Sequence, residues 1–168
     1  MKKLLFISFA FITGTSFAQT EASDVAVVNA EIVAPISITN ENALDFGRIA
    51  VGSTEGEIKI TPEGERTGPV GMLMPSVVSA ASFYVNAANE YSYMMTISGS
   101  PLSLEGSGSD APATSVMEVA YNHDKGDEKS FVGTGNLQEF KVGGTLKVQA
   151  NQAPGQYSGD VTMTVVYE

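Results

Sequence analysis

The sequence ends in the alternating stretch Asp160-Val161-Thr162-Met163-Thr164-Val165-Val166-Tyr167-Glu168. Side chains of a β-strand point to opposite faces in turn, so one face of this stretch is apolar and the other is mainly polar. The apolar face carries Val161, Met163, Val165 and Tyr167, and the other carries Asp160, Thr162, Thr164 and Glu168. This pattern predicts a half-buried strand that runs to the last residue.

The sequence of this terminal strand does not protect its edge. Natural proteins commonly place Pro or Lys on an exposed edge strand, where these residues discourage pairing with another chain. Neither residue occurs between positions 160 and 168. We therefore expect the strand to pair on one side within its own sheet. Its other edge is predicted to be a long apolar template for a second polypeptide.

Shorter strand-like segments precede this stretch along the chain. The stretches 82–85 and 91–97 are predicted to pair through the turn 86–90, and Gly143-Gly144 is predicted to be a hairpin turn. No segment has a sustained apolar period of 3.6 residues, and about nine or ten strands at this spacing favour an all-β, immunoglobulin-like sandwich of two sheets. The predicted strands cover positions 36–38, 44–49, 57–60, 82–85, 91–97, 102–104, 117–121, 137–142 and 145–149.

Positions 19–34 begin with a polar leader and continue with apolar residues at every second position. Such a peptide is suited to add as a strand to the exposed edge of a sheet, where backbone hydrogen bonds supply affinity and alternate side chains fill pockets. Alternatively, it is the first strand of a self-complete sandwich. Pro35 interrupts the pattern because it cannot donate to a strand ladder. The donor-strand candidates are Ala26, Val28, Ala30, Ile32 and Ala34.

The first eighteen residues are typical of a secretory signal. Lys2 and Lys3 precede the apolar run 4–12, and Ser16-Phe17-Ala18 has small residues at the cleavage positions. The run is shorter than the ~20 residues that a membrane-spanning helix needs. We therefore divide the chain into a signal peptide at 1–18, an N-terminal extension or first strand at 19–34, and a β-sandwich domain at 35–168.

Composition limits the partners and the chemistry of the exported chain. Removal of Lys2 and Lys3 with the signal takes the net charge from −10 to −12. This charge argues against nucleic acid and anionic membrane surfaces as partners, and we expect no membrane insertion of the mature chain. The chain has no Cys, so no disulfide holds the fold.

The sequence has no recognisable catalytic apparatus. His123 is the only histidine, it lies in the polar stretch 122–128, and no G-x-S-x-G nucleophile turn accompanies it. One His without Cys cannot supply a usual zinc ligand set. Asp124, Asp127 and Glu128 do not have the spacing of an EF-hand loop, so a solvated acidic turn is the preferred interpretation. We expect no enzyme activity, no metal and no cofactor.

Two motifs relate the chain to known families. Gly155 stands fourteenth from the end and Tyr167 next to last, and Leu44-Asp45-Phe46-Gly47 follows the N-terminal alternating segment. This arrangement resembles chaperone–usher pilins. The chain also resembles an uncharacterised family of secreted bacterial domains of unknown function, allied to fimbrial subunits. The segments that carry the second resemblance are 34–38, 44–47, 82–85, 142–146 and 155–167.

The pilin resemblance implies a pilin-like sandwich that lacks its last strand and is completed by donor-strand exchange. A periplasmic chaperone would first fill the groove beside the terminal strand, and the N-terminal segment of a like subunit would replace it. The chain would then be a structural or adhesive subunit of a surface fibre, found in the periplasm in transit and afterwards at the cell surface or outside the cell. The alternative is a self-complete secreted sandwich that binds a ligand or protein. The resemblance assigns the acceptor strand and assembly motif to Gly155, Tyr157, Gly159, Val161, Met163, Val165 and Tyr167.

Overall fold

The structure is a computed structural model that describes residues 21–108 and 112–168. The predicted signal peptide at 1–18 and part of the predicted loop 106–112 lie outside the described residues. The chain divides into one unit that ends at Ile32 and a compact unit from Val33 to Glu168. No helix in the described ranges is long and apolar enough to cross a membrane.

The compact unit consists of short antiparallel strands and a single-turn 3-10 helix at Ala113–Ser115. The predicted all-β fold is therefore confirmed. The strands are β1 (Ser37–Asn42), β2 (Gly56–Ile60), β3 (Arg66–Thr67), β4 (Ala81–Asn86), β5 (Ser92–Gly99), β6 (Leu102–Leu104), β7 (Val116–Met117), β8 (Val119–His123), β9 (Ser130–Val132), β10 (Leu137–Val148), β11 (Tyr157–Ser158) and β12 (Val161–Tyr167).

Three antiparallel sheets form an open sandwich. The large sheet has the order β1-β4-β10-β2-β3, and β8 also pairs with β10. The terminal sheet has the order β12-β5-β9, and the small sheet has the order β11-β6-β7. Tyr93 and Met95 of the terminal sheet pack with Phe83, Val85 and Phe140 of the large sheet, and all five side chains are buried. Apolar contact between these two sheets therefore forms the first core cluster.

A second core cluster lies towards the other end of the large sheet. Ile58, Ile60 and Leu146 are fully buried in it, and Phe46 and Met117 join them. Leu44 packs against both clusters, so the two cores are continuous. Leu102 and Tyr157 of the small sheet cover part of the second cluster and remain half-buried.

The predicted hairpin at Gly143-Gly144 is wrong, because both glycines lie inside the single strand β10. The reason is a close approach between two segments of the same backbone. A side chain at Gly143 would collide with the carbonyl oxygen of Ile60 and with the neighbouring backbone. Glycine therefore lets β10 lie against β2 and the turn that follows it. β10 consequently runs unbroken and pairs with three strands: β4, β2 and β8.

Other predicted strands form with different partners. β4 and β5 belong to different sheets, so the link between them crosses the sandwich instead of forming a hairpin. The stretch 117–121 splits into β7 and β8, which also join different sheets. Positions 44–49 contribute only bridges from Asp45 to Ser79 and from Ile49 to Leu73. Gly47, at φ +72°, interrupts the extended backbone between these bridges.

Candidate strand-acceptor groove

β12 is held in place by β5 along its whole length. The seven residue pairs run from Val161 opposite Gly99 to Tyr167 opposite Tyr93. Met163 is buried in the first core cluster, while Val161, Val165 and Tyr167 are only half-buried against it. The predicted alternation of the terminal strand is confirmed. Its core-facing side chains are partly exposed, so apolar surface remains open beside them.

The other edge of β12 has no strand partner in the described part of Val33–Glu168. The amide of Ser100 donates to the carbonyl oxygen of Asp160 at 2.9 Å, and the amide of Glu168 donates to that of Ser92 at 3.1 Å. Backbone groups of successive residues point to opposite edges of a strand. The even-numbered residues therefore bond to β5. The residues that present N–H and C=O groups to the free edge are Val161, Met163, Val165 and Tyr167.

β1 borders the same opening from the large sheet. In the described residues β1 pairs only with β4, so its other edge is also unpaired. Ile36 and Ile38 are half-buried against the first core cluster. Between this border and β12 lies a cavity of about 310 Å³ whose lining includes Asn40, Phe83 and Val161. Each of these two strands thus contributes one residue to the cavity lining, Asn40 from β1 and Val161 from β12.

The cavity continues into a larger open cleft of about 1480 Å³. One wall is formed by positions 44–53 and 74–77, and the other by positions 151–159. Met117, Leu146 and Val148 form part of the cleft lining and belong to the second core cluster. The cavity and the cleft share Leu44, Phe46, Leu102 and Gly159 in their linings. We call the cleft, the cavity and the free edge of β12 together the acceptor groove.

Arg66 fixes the first wall of the cleft. Its Nη1 donates to the carbonyl oxygen of Phe46 at 2.9 Å, and its Nη2 donates to that of Met74 at 2.6 Å. One guanidinium thus connects both chain segments of this wall, and charged donors make such bonds stronger than neutral ones. The sequence analysis missed Arg66 because no local pattern relates it to residues 8 to 20 positions away in the chain.

The motif residues of the second wall are fixed by Tyr157. Its hydroxyl donates towards the carbonyl oxygens of Ala153 at 2.7 Å and Thr114 at 2.9 Å, and accepts from Nε2 of Gln152 at 3.1 Å. Gln152 is itself buried. A side chain at Gly155, whose φ is +152°, would collide with Leu104. Tyr157 and Gly155 therefore shape the wall of the groove.

Tyr167 closes the far end of the groove. Its hydroxyl accepts from the amide of Ala88 at 2.7 Å and donates to the carbonyl oxygen of Ala34 at 3.0 Å. Its ring lies edge-on to Tyr91, with 6.0 Å between the ring centroids. Tyr167 therefore connects β12 with the segment before β1 and with the β4–β5 link. It also places Ala34, one of the donor-strand candidates, inside the compact unit.

The remaining donor-strand candidates lie in the first unit. Residues 21–34 form no strand, so the alternating stretch 26–34 has no regular secondary structure. The side chains of Val28 and Ile32 are 91% and 97% exposed, and Ala26 and Ala30 are exposed as well. Val25 and Val27 are also more than 80% exposed. The segment thus keeps a large apolar surface uncovered.

Two tyrosines in or near the groove have raised pKa values. Burial, reinforced by the charge of Asp160, raises the pKa of Tyr121, which lines the cavity. Burial also raises the pKa of Tyr93 to about 12. His123 ends β8, and its Nδ1 accepts from the amide of Lys125 at 3.3 Å. The described residues contain no group of three or more His, Asp or Glu side chains that could hold a metal ion.

Comparison with protein families gives one match. The model of a domain of unknown function, DUF4402, matches residues 36–167. The chain belongs to this family. The DUF4402 match spans from just before β1 to Tyr167, so it includes both borders of the acceptor groove, and the predicted resemblance to a domain family of unknown function is confirmed. No curated protein and no solved structure is significantly similar to the chain.

Proposed function

We propose that this DUF4402 domain is an exported structural or adhesive subunit of a bacterial surface fibre, assembled by donor-strand exchange. In this mechanism an extended segment of one copy completes the sandwich of the next copy. One observation carries the proposal. The core-facing residues of β12 direct their backbone N–H and C=O groups to an edge that has no strand partner in the described residues, and a cavity of about 310 Å³ opens beside the first of them, Val161.

Addition of a strand would supply hydrogen-bond partners for the backbone of β12 and would also cover its partly exposed apolar side chains. Each backbone hydrogen bond contributes about 0.5–1.5 kcal/mol net, and each Å² of apolar surface removed from water contributes about 25 cal/mol. A donor with apolar side chains at every second position would bond to β12 and place those side chains against Val161, Val165 and Tyr167. The exposed residues 26–32 have this pattern.

The proposal includes the route to the surface. Positions 1–18 would direct export, and a periplasmic chaperone would cover the free edge of β12 until a second copy arrives. Without such a cover, an apolar strand edge is a site of aggregation. The donated segment is exchanged for the chaperone at the surface, and like subunits then form a head-to-tail fibre.

The test is deletion of residues 19–32 from the full chain, which leaves the signal and the compact unit from Val33 onwards. We expect the truncated chain to be exported and folded but to form no SDS-resistant, heat-sensitive ladder, because exchanged strands dissociate very slowly. A chain that lacks only the polar leader at 19–24 is the matched control and should still form the ladder.

Two results would contradict the proposal. One is an unchanged ladder from the chain that lacks residues 19–32. The other is loss of cooperative thermal unfolding in that chain, which would mean that the segment is an internal strand of a self-complete sandwich. In that case the cleft of about 1480 Å³ would favour the alternative function, binding of a ligand or partner by a monomer.

A further inference from the structure

We infer that residues 26–32 of a second copy pair antiparallel with β12 in one register, with Ile32 opposite Val161 and Ala26 opposite Tyr167. This inference rests on the proposed function and adds the direction and register of the donated strand. It derives from four features of the described residues: an anchor at Ala34, the alternation of both stretches, the cavity beside Val161, and the charge of the cleft.

The anchor limits the donor at its carboxyl end. The carbonyl oxygen of Ala34 already accepts from the Tyr167 hydroxyl of its own copy, and Val33 belongs to the same compact unit. A donor that included Ala34 would have to break this bond. The donated strand therefore ends at Ile32, and four donor-strand candidates remain: Ala26, Val28, Ala30 and Ile32.

Alternation fixes which residues face each other. In an antiparallel ladder, two residues that exchange backbone hydrogen bonds have their side chains on the same face of the sheet. The core-facing residues of β12 are those with unpaired backbone groups, so their partners must also face the core. Seven donor residues then cover the seven residues of β12. Asn29 and Glu31 fall on the solvent side, next to Thr164 and Thr162.

Side-chain size selects the antiparallel direction. In this direction Ile32, the largest donor side chain, enters the cavity of about 310 Å³ beside Val161. The small Ala30 and Ala26 lie opposite the large Met163 and Tyr167. In the parallel direction Ile32 would instead crowd Tyr167, whose hydroxyl is engaged by Ala88 and Ala34. Ala26 would then leave the cavity largely empty, and unfilled apolar cavities are unfavourable.

Charge supports the same direction. A parallel donor would continue beyond Val161 with its leader, which contains Glu21 and Asp24. That leader would enter the cleft, where Asp45 and Glu105 outnumber the single Arg48. Like charges at short range oppose this arrangement. An antiparallel donor directs its leader past Tyr167, away from the cleft.

Pairs of introduced cysteines test the register. Because the sequence has no native Cys, no other disulfide can form. The inferred register places Val27 opposite Val166 on the solvent side, in a pair with a Cα separation of about 4.5 Å, which is within disulfide range. A parallel donor would instead bring Val27 next to Thr162. We would express the full chain as Val27→Cys with Val166→Cys, and as Val27→Cys with Thr162→Cys. All three positions are exposed.

We expect oxidised Val27→Cys/Val166→Cys fibres to give a disulfide-linked ladder that persists in hot SDS without reductant, and at least about tenfold less cross-linking in the Thr162 pair. Cross-linking of the Thr162 pair alone would overturn the register while the proposed function stands. The same holds if neither pair cross-links although both variants form heat-sensitive ladders. Absence of any ladder, in the wild-type chain as well, would refute the proposed function and the register together.

Discussion

Two stretches of the chain, residues 26–32 and β12, share one pattern and have different structures. Both have seven residues with apolar side chains at every second position. β12 pairs with β5 along its length, whereas residues 26–32 form no strand and expose their apolar side chains. Alternation thus specifies which side chains a strand could bury. A strand also needs a partner that accepts its backbone hydrogen bonds, and the pattern alone does not identify that partner.

The two stretches also differ in the size of their apolar residues. Met163 and Tyr167 give β12 enough apolar surface to join the first core cluster. Ala26 and Ala30 bury much less surface, so a strand built on them gains less from an incomplete core. The smaller side chains suit a site where large residues are already present. The difference in size is therefore consistent with a donor and an acceptor.

A carboxylate introduced into β12 and one introduced into residues 26–32 should have the most different effects on stability. Met163→Asp puts a carboxylate into the core, and we expect the free energy of unfolding to fall by about 3–5 kcal/mol because the charge has no partner there. Val28→Asp should change it by less than about 0.5 kcal/mol, since Val28 is exposed. Urea denaturation measures both. Val28→Asp should nevertheless abolish the SDS-resistant ladder, and an unchanged ladder would argue against this stretch as donor.

Removal of the Tyr167 hydroxyl should have a smaller effect. Tyr167→Phe leaves the amide of Ala88 without its acceptor and the carbonyl oxygen of Ala34 without its donor. We expect a loss of about 1–3 kcal/mol in the free energy of unfolding. Tyr84→Phe is the control on the outer face of the large sheet: its hydroxyl bonds to the carboxylates of Glu41 and Glu139 at the surface, so its loss should destabilise the fold much less. Equal losses in the two variants would mean that the bonds of Tyr167 do not stabilise the end of β12.

High pH should destabilise β12 and its partner β5 but should not affect residues 21–32, because residues 21–32 contain no Tyr. Tyr93 pairs with Tyr167, and burial raises its pKa from the ordinary 10.0 to about 12. The unfolded chain therefore loses this proton first. The contribution of Tyr93 to stability is complete below pH 10, declines as the pH rises above 10, and is lost above about 12. Urea denaturation over this range should show a shallower decline for Tyr93→Phe, and identical slopes would contradict the assignment.

Sequence patterns predicted the strands whose formation depends mainly on residues that are neighbours in the chain. The terminal strand was predicted correctly because its alternation coincides with a buried face. β2, β4 and β5 were also close to their predicted bounds. Gly143-Gly144 was misinterpreted because glycine serves both tight turns and close chain approach, and only the neighbouring Ile60 carbonyl distinguishes the two. The pairing of strands depended on long-range packing, which short windows of sequence do not contain.

The candidate site was predicted in part. The core-facing side of β12 follows from alternation, and the structure adds the direction of its backbone groups. The cleft between positions 44–53 and 151–159 was not predicted, because its walls come from distant parts of the chain. Ala34 was assigned to the donor by its even position alone. Its hydrogen bond to Tyr167 joins residues 133 positions apart, and no sequence period could indicate it.

The position of β10 in the chain has a consequence for the order of folding. This strand pairs with β4, β2 and β8, which all precede it in the chain, and it is complete only at Val148. The large sheet therefore cannot close before residue 148 has been synthesised. Topologies dominated by distant pairings also fold slowly. We therefore expect truncation before residue 137, which removes β10, to leave no stable fold, and urea denaturation of the shortened chain should show no cooperative transition.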